Sequence, residues 1–336
     1  MAGKGTGERE KMRAIVCRRY GPPEVLQLEE VEAPAPKDDE VLVRVRATTV
    51  TAGDCEIRKF KMPVLLWLPA RIGFGFRGPR NKILGQELAG EIESVGKDVK
   101  LFKKGDQVLA LTGFRLGAYA EYDCLPEKGL ITTKPANMTY EEAATVPLGG
   151  LHASHFLRKA HIQSGQRVLI NGAGGSIGIL AVQLAKTFGA EVTAVDSAGK
   201  LDMLRSIGAD RVIDYSREDF TRGGESYDVI FDVVGKSSFS GSLRSLKERG
   251  FYLLGNPGLS QLARRYWTST GSKKVISGMK YVVDDLVFLK GLIEAGRVRT
   301  VIDRSYPLEE IAEAHGYVDT GQKAGNVVIT VGHHAG

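Results

Sequence analysis

Alternation of apolar and polar positions dominates the first third of the chain. Residues 12–17 and 41–47 (VLVRVRA) repeat with a period of two, as half-buried strands do, and 88–95, 107–111 and 118–124 continue the series. Pro22, Pro23, Pro34 and Pro36, then Gly96, Gly105 and Gly117, break the runs from one another. The pattern predicts a compact β domain.

From about Thr139 the period changes. Residues 141–148 and 151–160 have helical composition, after which strand-like and helix-like segments alternate. Strands are expected at 167–171, 191–195, 211–213, 229–233, 251–254 and 274–277, with helices at 176–188, 199–207, 239–247 and 282–295. Such alternation builds a doubly wound parallel sheet, so the fold class is α/β. After Gly296, strand character returns at 300–303 and 326–331 around a helix at 308–320. This tail is expected to rejoin the first domain. The organisation read is therefore 12–134 with 297–336 as one domain, 135–296 as the other, and 1–11 as a disordered leader.

The segment VLINGAGGSIG at 168–178 runs an apolar strand through a glycine-rich turn into a helix. Ala173, Gly175 and Gly178 take the three small-residue positions of a GxGxxG-like turn, while Gly172 and Gly174 add clearance for a close-lying pyrophosphate. The helix beginning at Ser176 and Ile177 aims its free amides at the same anion. A second strand ends at Asp196, 18 residues after Gly178, where a carboxylate can accept hydrogen bonds from an adenosine ribose. Strand, turn, helix, strand and acid in this order predict dinucleotide binding.

Composition narrows the remaining classes. With 336 residues, 43% hydrophobic and 26% charged, the chain is globular and suits two domains. No apolar run reaches the roughly 18 residues that a membrane span needs, so no membrane partner is expected and the location read is cytoplasmic. Cys17, Cys55 and Cys124 are too few and too scattered for a disulfide framework. The net charge of +6 is spread out, and its densest groups (Arg71, Arg77, Arg80, Lys82; Lys97, Lys100, Lys103, Lys104) read as solvated faces rather than a nucleic-acid platform.

Several ordered segments resemble the zinc-free quinone oxidoreductase-like branch of the medium-chain dehydrogenase/reductases. They include MRAIVCRRYGPPEVLQLEEV, EIESVGKDVKLFKKGDQVLAL, GAYAEY, EEAATVPLGGLHA, NGAGGSIGILAVQLAK, SIGADRVIDY, YDVIFDVVG and PLEEIAEAHGYVDTGQKAGNVVITV, and together they span about Met12 to Val331. The resemblance implies a GroES-like β-barrel domain, completed by the C-terminal segment, around a Rossmann domain. It further implies a homodimer that uses NAD(P)H to reduce a small-molecule quinone, enone or related carbonyl compound. A zinc-free alcohol dehydrogenase and a nucleotide-binding redox sensor or scaffold are the alternatives.

Within that resemblance the zinc positions can be checked one by one. The zinc-dependent members carry cysteine at the Thr51 position and histidine at the Gln86 position of Gly85-Gln86-Glu87, and a third ligand near 146–148; none is a zinc ligand here. No metal is therefore expected, including at His152 and His155, which lack a third partner. The acceptor would face Thr51, Asp54, Glu56, Arg58 and Gln86. Thr51 is the candidate hydrogen-bond donor to the reacting oxygen, with a backbone-satisfied threonine as the alternative, and Asp54 and Arg58, four apart, are expected to pair. Asp196 favours NADH, since its carboxylate repels a 2′-phosphate. Ser197 and Lys200 stand where NADPH-using members place phosphate contacts. Tyr215 would lie by the adenosine, and Val234, Gly235, Gly255 and Asn256 would wall the cofactor.

Overall fold

The computed structural model describes residues 10–61, 64–258, 260–262 and 272–333. They form two compact units. The first comprises the described residues up to Lys134 together with Ser305–Gly321 and the segment from Val327 onward. The second comprises Pro135–Arg304 and Gln322–Asn326. The sequence reading assigns all of 297–336 to the first unit, whereas the structure divides that tail between the two.

The first unit opens with an antiparallel pair, β1 (Lys11–Cys17) and β2 (Leu26–Glu32). β3 (Glu40–Val50) follows, and its alternation has a direct physical result: Val41, Val43 and Val45 are fully buried, while Arg44 and Arg46 between them stay half-buried. Two helices come next, α1 (Ala52–Lys59) and α2 (Val64–Phe74). Four further strands complete this stretch: β4 (Glu87–Val95), β5 (Gln107–Leu111), β6 (Tyr122–Pro126) and β7 (Leu130–Thr133).

In the second unit α3 (Tyr140–Ala144) and α4 (Pro147–Lys159) replace the expected 141–148 helix, because Pro147 starts a new helix rather than continuing the old one. β8 (Arg167–Asn171), α5 (Ser176–Thr187), β9 (Glu191–Asp196), α6 (Leu201–Ser206), β10 (Arg211–Asp214) and β11 (Tyr227–Asp232) then alternate. α7 (Phe239–Arg244), β12 (Leu246–Leu254), β13 (Lys274–Ser277) and α8 (Val283–Glu294) follow. The strand order β10-β9-β8-β11-β12-β13 is parallel throughout and reverses direction between β8 and β11. In open sheets of this kind ligands bind beyond the carboxyl ends of the strands at that reversal. The tail supplies β14 (Ile302–Pro307), α9 (Ile311–Asp319) and β15 (Asn326–Thr330), giving a second sheet ordered β14-β15-β3-β4-β5-β7, with β6 on β3.

Several expectations change in detail. The strand expected at 118–124 begins only at Tyr122, since the backbone before it bonds elsewhere: Tyr119 N to Leu84 O and Glu121 N to Arg13 O. The helix expected at 239–247 stops at Arg244, and Leu246 already pairs with Tyr227 in β12. Lys11 belongs to β1 rather than to a leader, and Glu10 O accepts from Ala33 N; the rest of the expected leader, 1–9, lies outside the described residues. β2, β7, α1 and α2 were not expected at all.

Candidate functional site

β8 ends at Asn171, and the chain turns through Gly172, whose φ of 82° lies in the left-handed region. The amides of Gly172 and Ala173 both donate to Val195 O, fastening the turn to β9. Two glycines here, Gly172 and Gly178, are demanded by the backbone itself, whereas a Cβ at Gly174 would first meet the flexible stem of Lys200. A Cβ on Gly172 would stand 2.6 Å from Val234 Cγ1, one on Gly174 2.6 Å from Lys200 Cδ, and one on Gly178 2.4 Å from Gly172 O. Gly175 is different. Its Cβ would meet only Gly172 O at 3.8 Å, and its φ of −92° suits any residue. Gly175 caps α5, whose first-turn amides at Ser176, Ile177 and Gly178 have no acceptor within the helix. Open space beside a helix N-terminus fits a pyrophosphate, so the cradle passes as a dinucleotide grip.

Asp196 closes β9 but turns its carboxylate inward. Oδ2 accepts from Gly174 N at 2.7 Å, Oδ1 accepts from Ser197 N at 2.8 Å, and Lys200 Nζ lies 3.1 Å from Oδ1. The acid thus clamps the glycine turn and is neutralised by Lys200. Tyr215 donates its amide to Asp196 O and leaves its ring exposed. Val234 is exposed over Gly172, Gly235 needs a φ of 67°, and Gly235 approaches Asn256 so closely that a Cβ would sit 2.0 Å from Asn256 O. Gly255 N donates to Asp232 O. The expected wall residues therefore do assemble at the carboxyl ends of β11 and β12.

Two residues of this region escaped the sequence reading. Asp232 is fully buried; Oδ1 accepts from Asn171 Nδ2 and Gly235 N, each at 2.9 Å, and Oδ2 accepts from Ser237 Oγ at 2.5 Å. Its signal was available, since it ends β11 as Asp196 ends β9. Lys323 gave no local signal. It is 9% exposed, donates from Nζ to Ser176 Oγ at 2.9 Å and to Gly325 O at 2.6 Å, and its segment is tied to the turn by Gly325 N donating to Gly174 O. A cation is thus stationed at the positive end of the α5 dipole, an arrangement that favours a bound anion.

In the first unit the candidates separate by helix face. Thr51 is the N-cap of α1: its hydroxyl donates to Asp54 Oδ2 at 2.6 Å and accepts from Asp54 N at 3.1 Å, while Thr51 N donates to the same carboxylate. The hydroxyl proton of Thr51 is therefore committed within the capping box. Asp54 does not pair with Arg58 as expected. Arg58 is wholly buried and donates to Asp319 Oδ2 at 2.6 Å on α9, whereas Glu56 lies exposed on the opposite face of α1. Burial pushes the Asp54 carboxyl up to about 6, against hydrogen bonds that hold it down. Beneath α1, Cys55 Sγ lies 3.3 Å from His315 Nδ1, and His315 Nε2 lies 3.2 Å from the Tyr119 hydroxyl. Burial drives that imidazole down to about 3 and the Cys55 thiol upward, so both are neutral packing groups.

Gln86, like Asp54 and Arg58, keeps a buried polar atom without a partner. It is 8% exposed, and its Oε1 is buried without a hydrogen-bond partner. A Cβ on Gly53 would lie 3.2 Å from Gln86 Oε1 and 3.5 Å from Thr51 Oγ1, which sets the amide beside Thr51. A capped hydroxyl and an uncharged amide do not fit a zinc ion, which takes thiolate, imidazole or carboxylate. Among the described residues no group of three or more His, Cys, Asp or Glu side chains is placed to hold a metal. His152 lies against Leu148 O and the Tyr281 hydroxyl, and His155 against Gly278 O.

Known proteins are similar to this chain over most of its length. A quinone oxidoreductase of Pseudomonas aeruginosa is 33% identical over 94% of this chain and 99% of its own length. The chain belongs to the medium-chain dehydrogenase/reductase superfamily. Residues 37–136 match the alcohol dehydrogenase GroES-like domain, and residues 207–329 match the domain described as zinc-binding dehydrogenase. An NADPH-dependent alkenal/one oxidoreductase from the chloroplast of Arabidopsis thaliana is 33% identical over 95% of this chain and 80% of its own. The solved quinone oxidoreductase of Coxiella burnetii superposes with a TM-score of 0.85 at 27% identity, covering 96% of this chain and all of the other. This medium-chain dehydrogenase/reductase is an NAD(P)H-dependent oxidoreductase, with the Rossmann sheet in its second unit and the GroES-like fold in its first.

Proposed function

We propose that this oxidoreductase reduces quinones, enones or related carbonyl compounds, that it does so without zinc, and that NADPH is its preferred cofactor. The observation that carries the reading is the engagement of Asp196. A carboxylate already holding Gly174 N, Ser197 N and Lys200 has little capacity left for a ribose hydroxyl. This weakens the case for NADH made from its position alone; Lys200, which keeps further N–H donors beyond its contact with Asp196, and the exposed ring of Tyr215 are the groups proposed to meet a 2′-phosphate. When bound, the nicotinamide supplies the hydride. Lys323 and the first-turn amides of α5 hold the pyrophosphate, and Val234 and Asn256 line its path.

Thr51 gives its hydroxyl proton to Asp54 while it caps α1, so Gln86, through its Nε2 N–H, is the group proposed to orient the acceptor oxygen. An already electrophilic acceptor needs little more than being held in place, and its final proton can come from water. Homodimer formation belongs to the same proposal, since the outer edge of β13 ends the parallel sheet.

The deciding experiment is an activity matrix of NADH and NADPH against quinones, enones and aldehydes, followed by loss of nicotinamide absorbance, with metal analysis of the same preparation. NADPH consumption with a quinone or enone and substoichiometric zinc are expected. Tight cofactor binding without turnover on any acceptor, or one zinc per chain, overturns the proposal.

A further inference from the structure

One surface of the first unit has no place in the chemistry above. Trp67, Leu68 and Ile72 of α2, with Phe76 in the turn after it and Phe114 in the neighbouring turn, are 42%, 54%, 58%, 62% and 79% exposed. Ring contacts tie both turns to α2: Trp67 to Phe76 at 6.4 Å between centroids, and Phe74 to Phe114 at 5.8 Å. Single exposed apolar side chains are ordinary, but a contiguous group of large ones marks an interaction surface.

Along this stretch of the chain the charges share one sign. Between Glu56 and Glu87 the chain has no acidic residue and seven basic ones. Arg58 and Lys59 are taken by Asp319. Arg71 stacks its guanidinium over Phe60 at 4.1 Å, Tyr20 at 4.6 Å and Trp67 at 5.0 Å and donates to Phe76 O, which pins α2 and its turn to the barrel. Lys61, Arg77, Arg80 and Lys82 are exposed, Lys82 within reach of Glu29, while Arg115, next to Phe114 in the chain, is drawn to Glu40 and Cys124 O.

We propose that this face docks on an anionic lipid bilayer, with the aromatic and aliphatic tips entering the headgroup boundary and the arginines and lysines meeting lipid phosphate. Three observations favour that occupant. All five apolar side chains are more than a third exposed, which suits insertion into a fluid surface. A second copy of this chain, meeting the patch about a two-fold axis, would oppose the same cations to one another. At 11 residues α2 spans about 16 Å, too short to cross a bilayer yet long enough to lie in its surface. The docking stands whether or not the cofactor proposal does, and it reverses the reading of Arg71, Arg77, Arg80 and Lys82 as a merely solvated face.

The test is flotation of the full chain with phosphatidylcholine vesicles and with vesicles containing 30% phosphatidylglycerol, at low and high salt. Binding is expected to the anionic vesicles, to weaken with salt, and to fall by at least fivefold for each cation removed in Arg77→Glu and Arg80→Glu. Phe76→Ser and Phe114→Ser, in separate turns, are each expected to lower binding while leaving the melting temperature unchanged, so a misfolded variant in one does not obscure the other. No binding to anionic vesicles, or equal binding to neutral ones, overturns the proposal. So does a patch variant that dissociates an oligomer, or that slows NADPH turnover in solution while vesicle binding persists.

Discussion

Asp196 ends β9 and Lys200 follows four residues later, and which of them faces the ribose decides the cofactor. Because the carboxylate is consumed by two backbone amides and Lys200, removing the lysine's charge is the more telling change. Lys200→Ala is expected to lower the NADPH-to-NADH ratio of kcat/KM roughly tenfold or more, the scale of one charged hydrogen bond; an unchanged ratio would place the phosphate elsewhere. Asp54 makes a different, pH-dependent prediction. Its carboxyl is raised to about 6 in the fold from an ordinary 3.8, so the folded state holds its proton longer than the unfolded state does. Stability from this group is therefore lost as pH rises from about 4 to about 6, by up to about 3 kcal/mol. Asp54→Asn, which keeps an acceptor for Thr51, should gain stability relative to the parent as pH climbs through that window. Paired thermal melts at pH 4.5 and 7.5 measure this, and a constant difference between them would contradict the shift.

At the scale of elements, the glycine turn separates the needs of the fold from the needs of the ligand. Gly178 packs against the backbone of Gly172 and Ala173, so Gly178→Ala must push β8 and α5 apart and is expected to cost about 1–3 kcal/mol. Gly175→Ala meets no such obstacle, yet its methyl would occupy the open side of the cradle. The expected result is an unaltered melting temperature with NADPH affinity at least tenfold weaker, read by fluorescence titration. Retained affinity in Gly175→Ala would mean that the pyrophosphate does not pass there. The α1 helix illustrates a missed element. Its start is written as Thr51 and Asp54 three apart, a capping box, but Gly53 inside it and the run of threonines before it read as loop. The expected pairing of Asp54 with Arg58 failed for the same reason: once Asp54 caps the helix, Arg58 is free to reach Asp319, 261 positions away.

For the molecule as a whole, the last described strand closes the first unit rather than decorating it. In β15, Val327, Val328 and Ile329 are fully buried, and the strand stands between β14 and β3 in the sheet. Three aliphatic side chains buried at about 1.5–3 kcal/mol each amount to roughly 5–9 kcal/mol, comparable to the entire stability of a typical domain. Ending the chain at Gly325 is expected to abolish cooperative unfolding of the protein. A truncated chain that melts cooperatively near the temperature of the full one would show that the barrel closes without β15.

Local pattern was enough for much of this. Period-two alternation marked β1, β3, β4 and β5, the alternation of strand and helix announced the parallel sheet, and the turn at 172–178 announced a dinucleotide, because each signal is carried by neighbours within a few residues. The tertiary structure decided what depends on distant partners. It turned Asp196 inward onto Gly174 and Lys200, brought Lys323 to the start of α5 from 147 positions away, and spent the Thr51 hydroxyl on a helix cap while leaving Gln86 unsatisfied. Sequence spacing specifies which groups a segment carries, but a side chain's hydrogen bonds are allotted only when the fold has chosen its neighbours.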